Sequence, residues 1–433
     1  MVDESKRNFL KGASAAFAAP SLVSAKALGG TASTGANERI GIGIIGLGGR
    51  GMSHLSALLR RPEVQVVALC DPYREKREAA EAKVSAAYQG DASSKVFSAA
   101  DFRELLSLPE VDAVVIASPE HWHGLQSAAA ARRGKDVYCE KALTLTVPEG
   151  RDLIGIVRRH QCVFQLGTQQ RSDGSFRRAC ELARSGYLGD LQEAYVSVPG
   201  GRPLPAADPK EPPEGLDYDL WLGPAPYTPY NDLKCTFNWY FIYDYCVGWI
   251  QSWGVHHLDV AAWGMPDVGK GRIQVEGEAT FPTEGIANTS VTWKVRFETE
   301  NGVRVHFADN AGARYEQGCR FVGKEGWVHV KRGKIYAEPD SLLRVRLRPE
   351  EEHLYASKDH HGNWLDCIRS RKDPVAPVEA GHLATTLSLI GDIATRVGAP
   401  LVWDWSQEKF VQNDGANRRR IRAMRSPWSI HTV

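Results

Sequence analysis

The sequence predicts a two-domain α/β chain: a parallel, strand-helix-alternating domain over residues 37–160, then an α/β domain over 161–433 built on a large, mainly antiparallel open sheet. Three observations predict it. Up to about residue 160, apolar runs alternate with amphipathic helical stretches. A glycine triplet sits where the first strand turns into the first helix. Beyond that point, short strand-like runs follow one another closely with turn residues between them.

In order along the chain, "RIGIGIIGLGGRGMSHLSALLRR" passes from a buried-strand pattern, Ile40 to Ile45, through glycines into a helix. Gly46, Gly48 and Gly51 fit G-x-G-x-x-G at that junction, with Leu47 and Arg50 in its variable positions. Glycines there let the backbone approach a pyrophosphate, and the helix N-terminus offers N–H donors and a favourable dipole. The next run, "VQVVALCDPYREK", ends in Asp71, about twenty residues on, where an acid accepts hydrogen bonds from a ribose diol. This is the fingerprint of a Rossmann domain that binds a dinucleotide. The Asp71 charge repels a 2′-phosphate and favours NAD over NADP, a preference that nearby Arg74 softens.

"VDAVVIASP" leads into "EHWHGLQSAAAARRG", and "DVYCEKALTLTVPEG" repeats strand, loop and helix. Ligands of such sheets lie beyond the carboxyl ends of the strands. Ser118, Pro119, Trp122, His123, Glu140 and Lys141 fall there and join the expected cofactor set. In the second domain, "EAYVSV", "GRIQVEGEATF", "SVTWKVRFET", "VRVHFAD" and "GWVHVKRGKIYAE" read as strands. "GNWLDCIRSRKDP" and "GHLATTLSLIGDIATRVG" read as helices closing that domain.

Composition narrows the function classes. The 433 residues are 43% apolar and carry 53 basic against 52 acidic side chains, so a nucleic-acid partner is not expected. The eight cysteines contain no Cys-x-x-Cys pair, which fits buried free thiols better than a zinc site or a disulfide scaffold. Residues 1–36 read as an export signal and linker: Ser5 to Lys11 resembles the twin-arginine signal, with Lys6 in place of the first arginine. That reading implies a periplasmic protein exported already folded, and a disordered basic tail is the other reading. No later stretch reaches about 18 apolar residues, so no membrane anchor is expected once the signal is removed.

Taken together, "GLGGRG", "ASPEHWH", the Glu140-Lys141 of "CEKA", "GTQQR" and "SWGVHHLD" resemble the glucose-fructose oxidoreductase, inositol dehydrogenase and rhizopine-catabolism family (Gfo/Idh/MocA). "NWLDCIRSRKDP" and "RAMRSPW" look like a branch common among secreted bacterial members. The resemblance implies NAD chemistry on sugars or cyclitols, with an open sheet that often makes oligomer contacts, here a homodimer or homotetramer. It places the family's lysine beside the nicotinamide on Lys141, followed here by Ala142 instead of proline, and the family's histidine on His256. The family aspartate four residues earlier falls on Ser252, which puts the usual Asp/His proton relay in doubt. Gln169 and Arg171 resemble positions near the nicotinamide and the substrate; Arg171 reads equally well as a surface ion pair.

Adjacent histidines on a helix point about 100° apart, so His256 and His257 do not read as a metal pair, and no metal is expected. Lys141 and His256 are the candidate proton-transfer groups, a positive charge beside a developing alkoxide being favourable. Asp259 is placed to orient the His256 ring. Trp239, Tyr243 and Asp244 in "FNWYFIYDYCVGW" are candidates to stack on and hydrogen-bond a pyranose, with Ser252 and His257 beside them; an aromatic stripe also reads as core.

The expectation is therefore an NAD-dependent oxidoreductase acting on a sugar or glycoside hydroxyl. Export would remove it from soluble cofactor recycling, so a tightly bound NAD and a redox-neutral cycle follow. One alternative is a glycoside hydrolase that uses NAD transiently through oxidation, elimination, addition and reduction. Another is a non-catalytic sugar-binding protein on the same fold.

Overall fold

Six parallel strands make the first sheet of the computed structural model, which describes residues 38–89 and 95–433. The expected export signal lies outside these residues. The strands are β1 (Ile40–Ile45), β2 (Val64–Cys70), β3 (Phe97–Ala99), β4 (Ala113–Ile116), β5 (Asp136–Cys139) and β6 (Phe164–Leu166), in the order β3-β2-β1-β4-β5-β6. Every residue of β1, β4 and β5 is buried, as near-continuous apolar strands require when helices cover both faces. The strand order reverses between β1 and β4, which opens a crevice at their carboxyl ends. The sequence-based boundary at residue 160 falls inside this sheet, because β6 is its last strand.

The second sheet has nine strands: β7 (Leu191–Val198), β8 (Arg272–Thr280), β9 (Thr292–Thr299), β10 (Arg304–Asp309), β11 (Gly318–Gly323), β12 (Trp327–Lys331), β13 (Lys334–Glu338), β14 (Leu401–Asp404) and β15 (Lys409–Phe410). Their order is β13-β12-β11-β7-β10-β9-β8-β14-β15, antiparallel except where β7 pairs with β10. Alternation is clear in β9, whose Trp293, Val295, Phe297 and Thr299 turn inward.

Three helices position the site. The helix Gly254–Gly264 is buried at every residue, so it lacks an amphipathic pattern. It lies on the inner face of the second sheet, where a Cβ on Gly254 or Gly264 would run into Phe307 or Phe321. The helix Val147–Arg159 starts with a capping pair, the Thr146 hydroxyl accepting from the Glu149 N–H. The helix Val378–Val397 joins the two domains: Val378 and Ala384 belong to the first domain's core and Leu387, Ile390 and Ile393 to the second's. The helix His360–Ser370 does not close the second domain as its position in the chain suggested. Its Trp364, Leu365 and Cys367 pack with Ile42, Ile44 and Tyr138 of the first sheet. All eight cysteines are free and buried.

Candidate active site

A cleft of about 680 Å³ opens at the carboxyl ends of β1, β2, β4 and β5. Gly46 follows β1 with φ +89°, where a side chain would be strained and a Cβ would meet the Ser118 backbone. Gly51 packs its Cα against the Gly46 carbonyl, with 1.8 Å left for a Cβ. Gly48 and Gly49 have nothing within 4 Å of a Cβ position and line the cleft. The result is an open backbone cradle at a helix start, which fits a pyrophosphate. Replacing Gly51 by alanine is expected to destabilise the fold by about 1–3 kcal/mol and weaken NAD binding. Urea unfolding and a dinucleotide titration on one preparation check this; an unchanged affinity would mean the cradle tolerates the shift.

Asp71 is buried beneath the cradle, one carboxylate oxygen accepting from the Leu47 N–H at 2.8 Å and the other from the Tyr73 N–H at 2.9 Å. Each oxygen keeps a second acceptor direction for a ribose diol. Arg74 does not face this carboxylate: its guanidinium pairs with Glu214 at 3.1 Å. The charge that discriminates against a 2′-phosphate thus stands without the softening expected from Arg74. Ser118, Pro119, Trp122 and His123 line the cleft after β4. The His123 ring bridges two loops, Nδ1 lying 2.6 Å from the Ala142 carbonyl and Nε2 2.9 Å from that of Ser118.

Glu140 and Lys141 follow β5, joined to Ala142 by a cis peptide. Glu140 is a buried anchor: its Oε1 meets Arg50 at 2.8 Å, His54 at 2.9 Å and the Gln169 amide at 3.1 Å. Burial works against its charge, but His54, Arg50 and Lys141 outweigh that and hold the carboxyl well below its usual range. Gln169 thus supports the site from behind, also donating to the Tyr138 hydroxyl.

Lys141 points into the cleft. Its Nζ donates to Ser252 Oγ at 2.5 Å, stands 3.6 Å from Glu120 Oε1 and lies 5.3 Å from the centre of the Tyr240 ring. Burial opposes the ammonium, yet Tyr240, Glu120, Glu140 and Cys246 together raise its pKa above the ordinary lysine value. His256 is buried within the field of Lys141, with no hydrogen-bond partner on Nδ1. Burial, then the Lys141 and Arg332 cations, push its pKa well below that of a free imidazole, so the ring is neutral. Trp239 stacks on Tyr240 with centroids 3.7 Å apart, forming an aromatic wall beside the lysine.

Other expected residues are elsewhere. Arg171 is buried in a two-pronged pair with Asp259, at 2.7 and 2.8 Å, so it is neither on the substrate cleft nor on the surface. Asp259 is consequently committed to Arg171 and does not orient His256. Tyr243 and Asp244 line a separate cavity of about 370 Å³, and the Tyr243 ring is sandwiched between Arg396 and Arg422. His257 is an interior residue against the Gln170 amide and Phe176. The adjacent His360 and His361 are also interior contacts: His361 lies 2.8 Å from His54, and His360 lies 2.9 Å from the Leu166 carbonyl.

Sequence reasoning missed Glu120, Tyr240 and Arg332. Glu120 was detectable, since it follows Pro119 at the end of β4, as Lys141 follows β5. Arg332 had no such signal. It sits at the turn of the β12–β13 hairpin, with its guanidinium 4.9 Å above the Trp253 ring.

Known proteins match this arrangement. A family model described as oxidoreductase family, NAD-binding Rossmann fold, matches residues 40–168. One described as oxidoreductase family, C-terminal alpha/beta domain, matches residues 203–430. A glycosyl hydrolase family 109 protein of Streptomyces niveus is 33% identical over 153 residues, 35% of this chain and 30% of that protein. The first curated relatives are matched over only 30% to 42% of their own length. Among solved structures, the WlbA dehydrogenase of Bordetella pertussis in complex with NADH and UDP-GlcNAcA has a TM-score of 0.62 at 16% identity, covering 84% of this chain and 98% of that one. Scyllo-inositol dehydrogenase of Lactobacillus casei with NAD(H) and scyllo-inositol has a TM-score of 0.57 at 18% identity, covering 85% and 99%. With an NAD-binding Rossmann domain and the matching α/β domain in one chain, this protein belongs to the Gfo/Idh/MocA oxidoreductase family.

Proposed function

We propose that this protein is an NAD-dependent oxidoreductase acting on a hydroxyl of a sugar or glycoside, with its cofactor held tightly through a redox-neutral cycle. The observation that carries this reading is the position of Lys141, between the dinucleotide cradle and the Trp239–Tyr240 wall. NAD, when bound, supplies the hydride acceptor. The cradle after β1 and Asp71 hold it, and the aromatic wall offers a flat apolar face to the C–H surface of a sugar ring. The Lys141 ammonium, fixed by Ser252, faces the hydroxyl and stabilises the alkoxide character that develops on it. Neutral His256 lies behind Lys141, within reach of its charge.

A glycoside hydrolase using NAD transiently is the second reading, favoured by the relatives named glycosyl hydrolase family 109 protein. Protein purified without added cofactor is expected to release NAD on denaturation. The intact protein is then incubated with free sugars and with aryl and disaccharide glycosides, following 340 nm absorbance and product masses. Oxidised sugar with NADH or with a reduced second carbonyl supports the first reading, and glycoside cleavage without net NADH supports the second. Absence of any turnover or bound dinucleotide overturns both.

Export by the twin-arginine route to the periplasm is part of this proposal and predicts retention in the cytoplasm of cells lacking that translocase. So is assembly as a homodimer or homotetramer through the open face of the nine-stranded sheet, read by light scattering. Among the described residues, no helix is long and apolar enough to cross a membrane.

A further inference from the structure

We propose that Glu120 is the proton acceptor behind Lys141, supplying from the first domain the carboxylate that Ser252 does not provide. The inference rests on the oxidoreductase reading above. Glu120 is 1% exposed, in the short turn Glu120–Trp122 that follows β4. Its Oε2 accepts from Cys246 Sγ at 3.1 Å, while Oε1 has no hydrogen bond and faces Lys141 Nζ at 3.6 Å. A buried carboxylate oxygen without a hydrogen bond is costly unless a charge compensates it, and among the described residues the cation paired with it is Lys141.

The chemistry needs such a group. The charged and titratable groups around Lys141 are Glu120 after β4, Glu140 after β5, Tyr240 and Cys246 from the aromatic segment, and His256 from the helix Gly254–Gly264. Glu140 is engaged by Arg50, His54 and Gln169. Lys141 already carries its proton, and His256 resists one because burial and two cations oppose its charge. Neither is suited to end as the proton's resting place. Through Glu120 the balance closes. The substrate hydroxyl gives its proton to Lys141 Nζ as one Nζ proton passes to Glu120 Oε1. The C–H electron pair leaves as hydride to the nicotinamide dinucleotide, and the C–O bond becomes a carbonyl. The reverse transfer restores both groups. The 3.6 Å separation is longer than a hydrogen bond, and such contacts commonly tighten when substrate binds.

The test uses full-length Glu120→Gln and Glu120→Ala proteins. In the apoprotein, acylation of Lys141 by acetic anhydride, resolved by mass spectrometry against pH, reads the amine without substrate or cofactor. Loss of the neighbouring negative charge is expected to move the Lys141 profile to lower pH. With substrate, Glu120→Gln is expected to lower kcat about 100-fold, within the usual worth of a positioned proton acceptor. NAD affinity stays near that of the wild type. Added formate is expected to restore part of the Glu120→Ala turnover, which a packing role would not permit. An unmoved Lys141 profile, or a Glu120→Gln kcat within about threefold of the wild type, overturns the proposal. If no sugar is turned over at all, the oxidoreductase reading has failed, and the acylation profile still reports on the Glu120–Lys141 pair.

Discussion

Replacing Lys141 by alanine is expected to lower kcat for the sugar or glycoside by about 10²–10³-fold, the usual effect of removing one preorganised charge aimed at a developing oxyanion. The dinucleotide should stay bound, because the cradle at Gly46, Gly48 and Gly49 and the Asp71 carboxylate do not depend on this lysine. Single-turnover kinetics with a cofactor titration separate the two. The substitution also removes one of the cations that depress His256, so its pKa should rise toward the ordinary imidazole value. Histidine NMR of the apoprotein reads that shift directly. A variant with unchanged kcat would show that the ammonium does not face the reacting hydroxyl, and sugar binding without turnover in the wild type would favour a binding protein.

The second large effect concerns stability. Arg171→Met is expected to cost about 3–5 kcal/mol, because it leaves the Asp259 carboxylate, 1% exposed, without its partner in the interior. The loss reaches the site because Asp259 lies in the same helix as His256. The double variant Arg171→Met, Asp259→Leu should recover much of the loss, since removing both charges together avoids the unpaired one. Equilibrium urea unfolding of the wild type, the two single variants and the double variant completes the cycle. A single-variant cost under about 1 kcal/mol is what an exposed pair gives and would place Arg171 near solvent. Its role is structural, and the likeness of "GTQQR" to a substrate-side motif did not reveal that.

The residues that local rules govern were legible. A strand needs only its own apolar pattern, and the glycine triplet needs only its own turn, so the first domain and the cradle followed from short windows. Lys141 was placed the same way, at the end of an apolar strand. Partners from distant segments were not legible. Trp239 and Tyr243 lie four residues apart, yet one faces the cleft and the other a separate cavity, because the chain turns through Phe237–Phe241 before Tyr243. Asp259 sits three residues after His256, but its charge is claimed by Arg171, 88 positions away. Arg332 arrives on a hairpin of the second sheet.

By itself, then, the sequence determined the class of fold, the dinucleotide fingerprint and the lysine at its edge, since each is written in contiguous residues whose backbone geometry leaves little choice. Only the tertiary structure decided which carboxylate stands beside Lys141. Glu120 and Ser252 are 132 positions apart, and nothing in either segment specifies the other. They come together only around Lys141, because packing seats the turn Trp249–Ser252 against the end of β5, and the charge of a buried group is set by whatever that packing brings within a few ångströms.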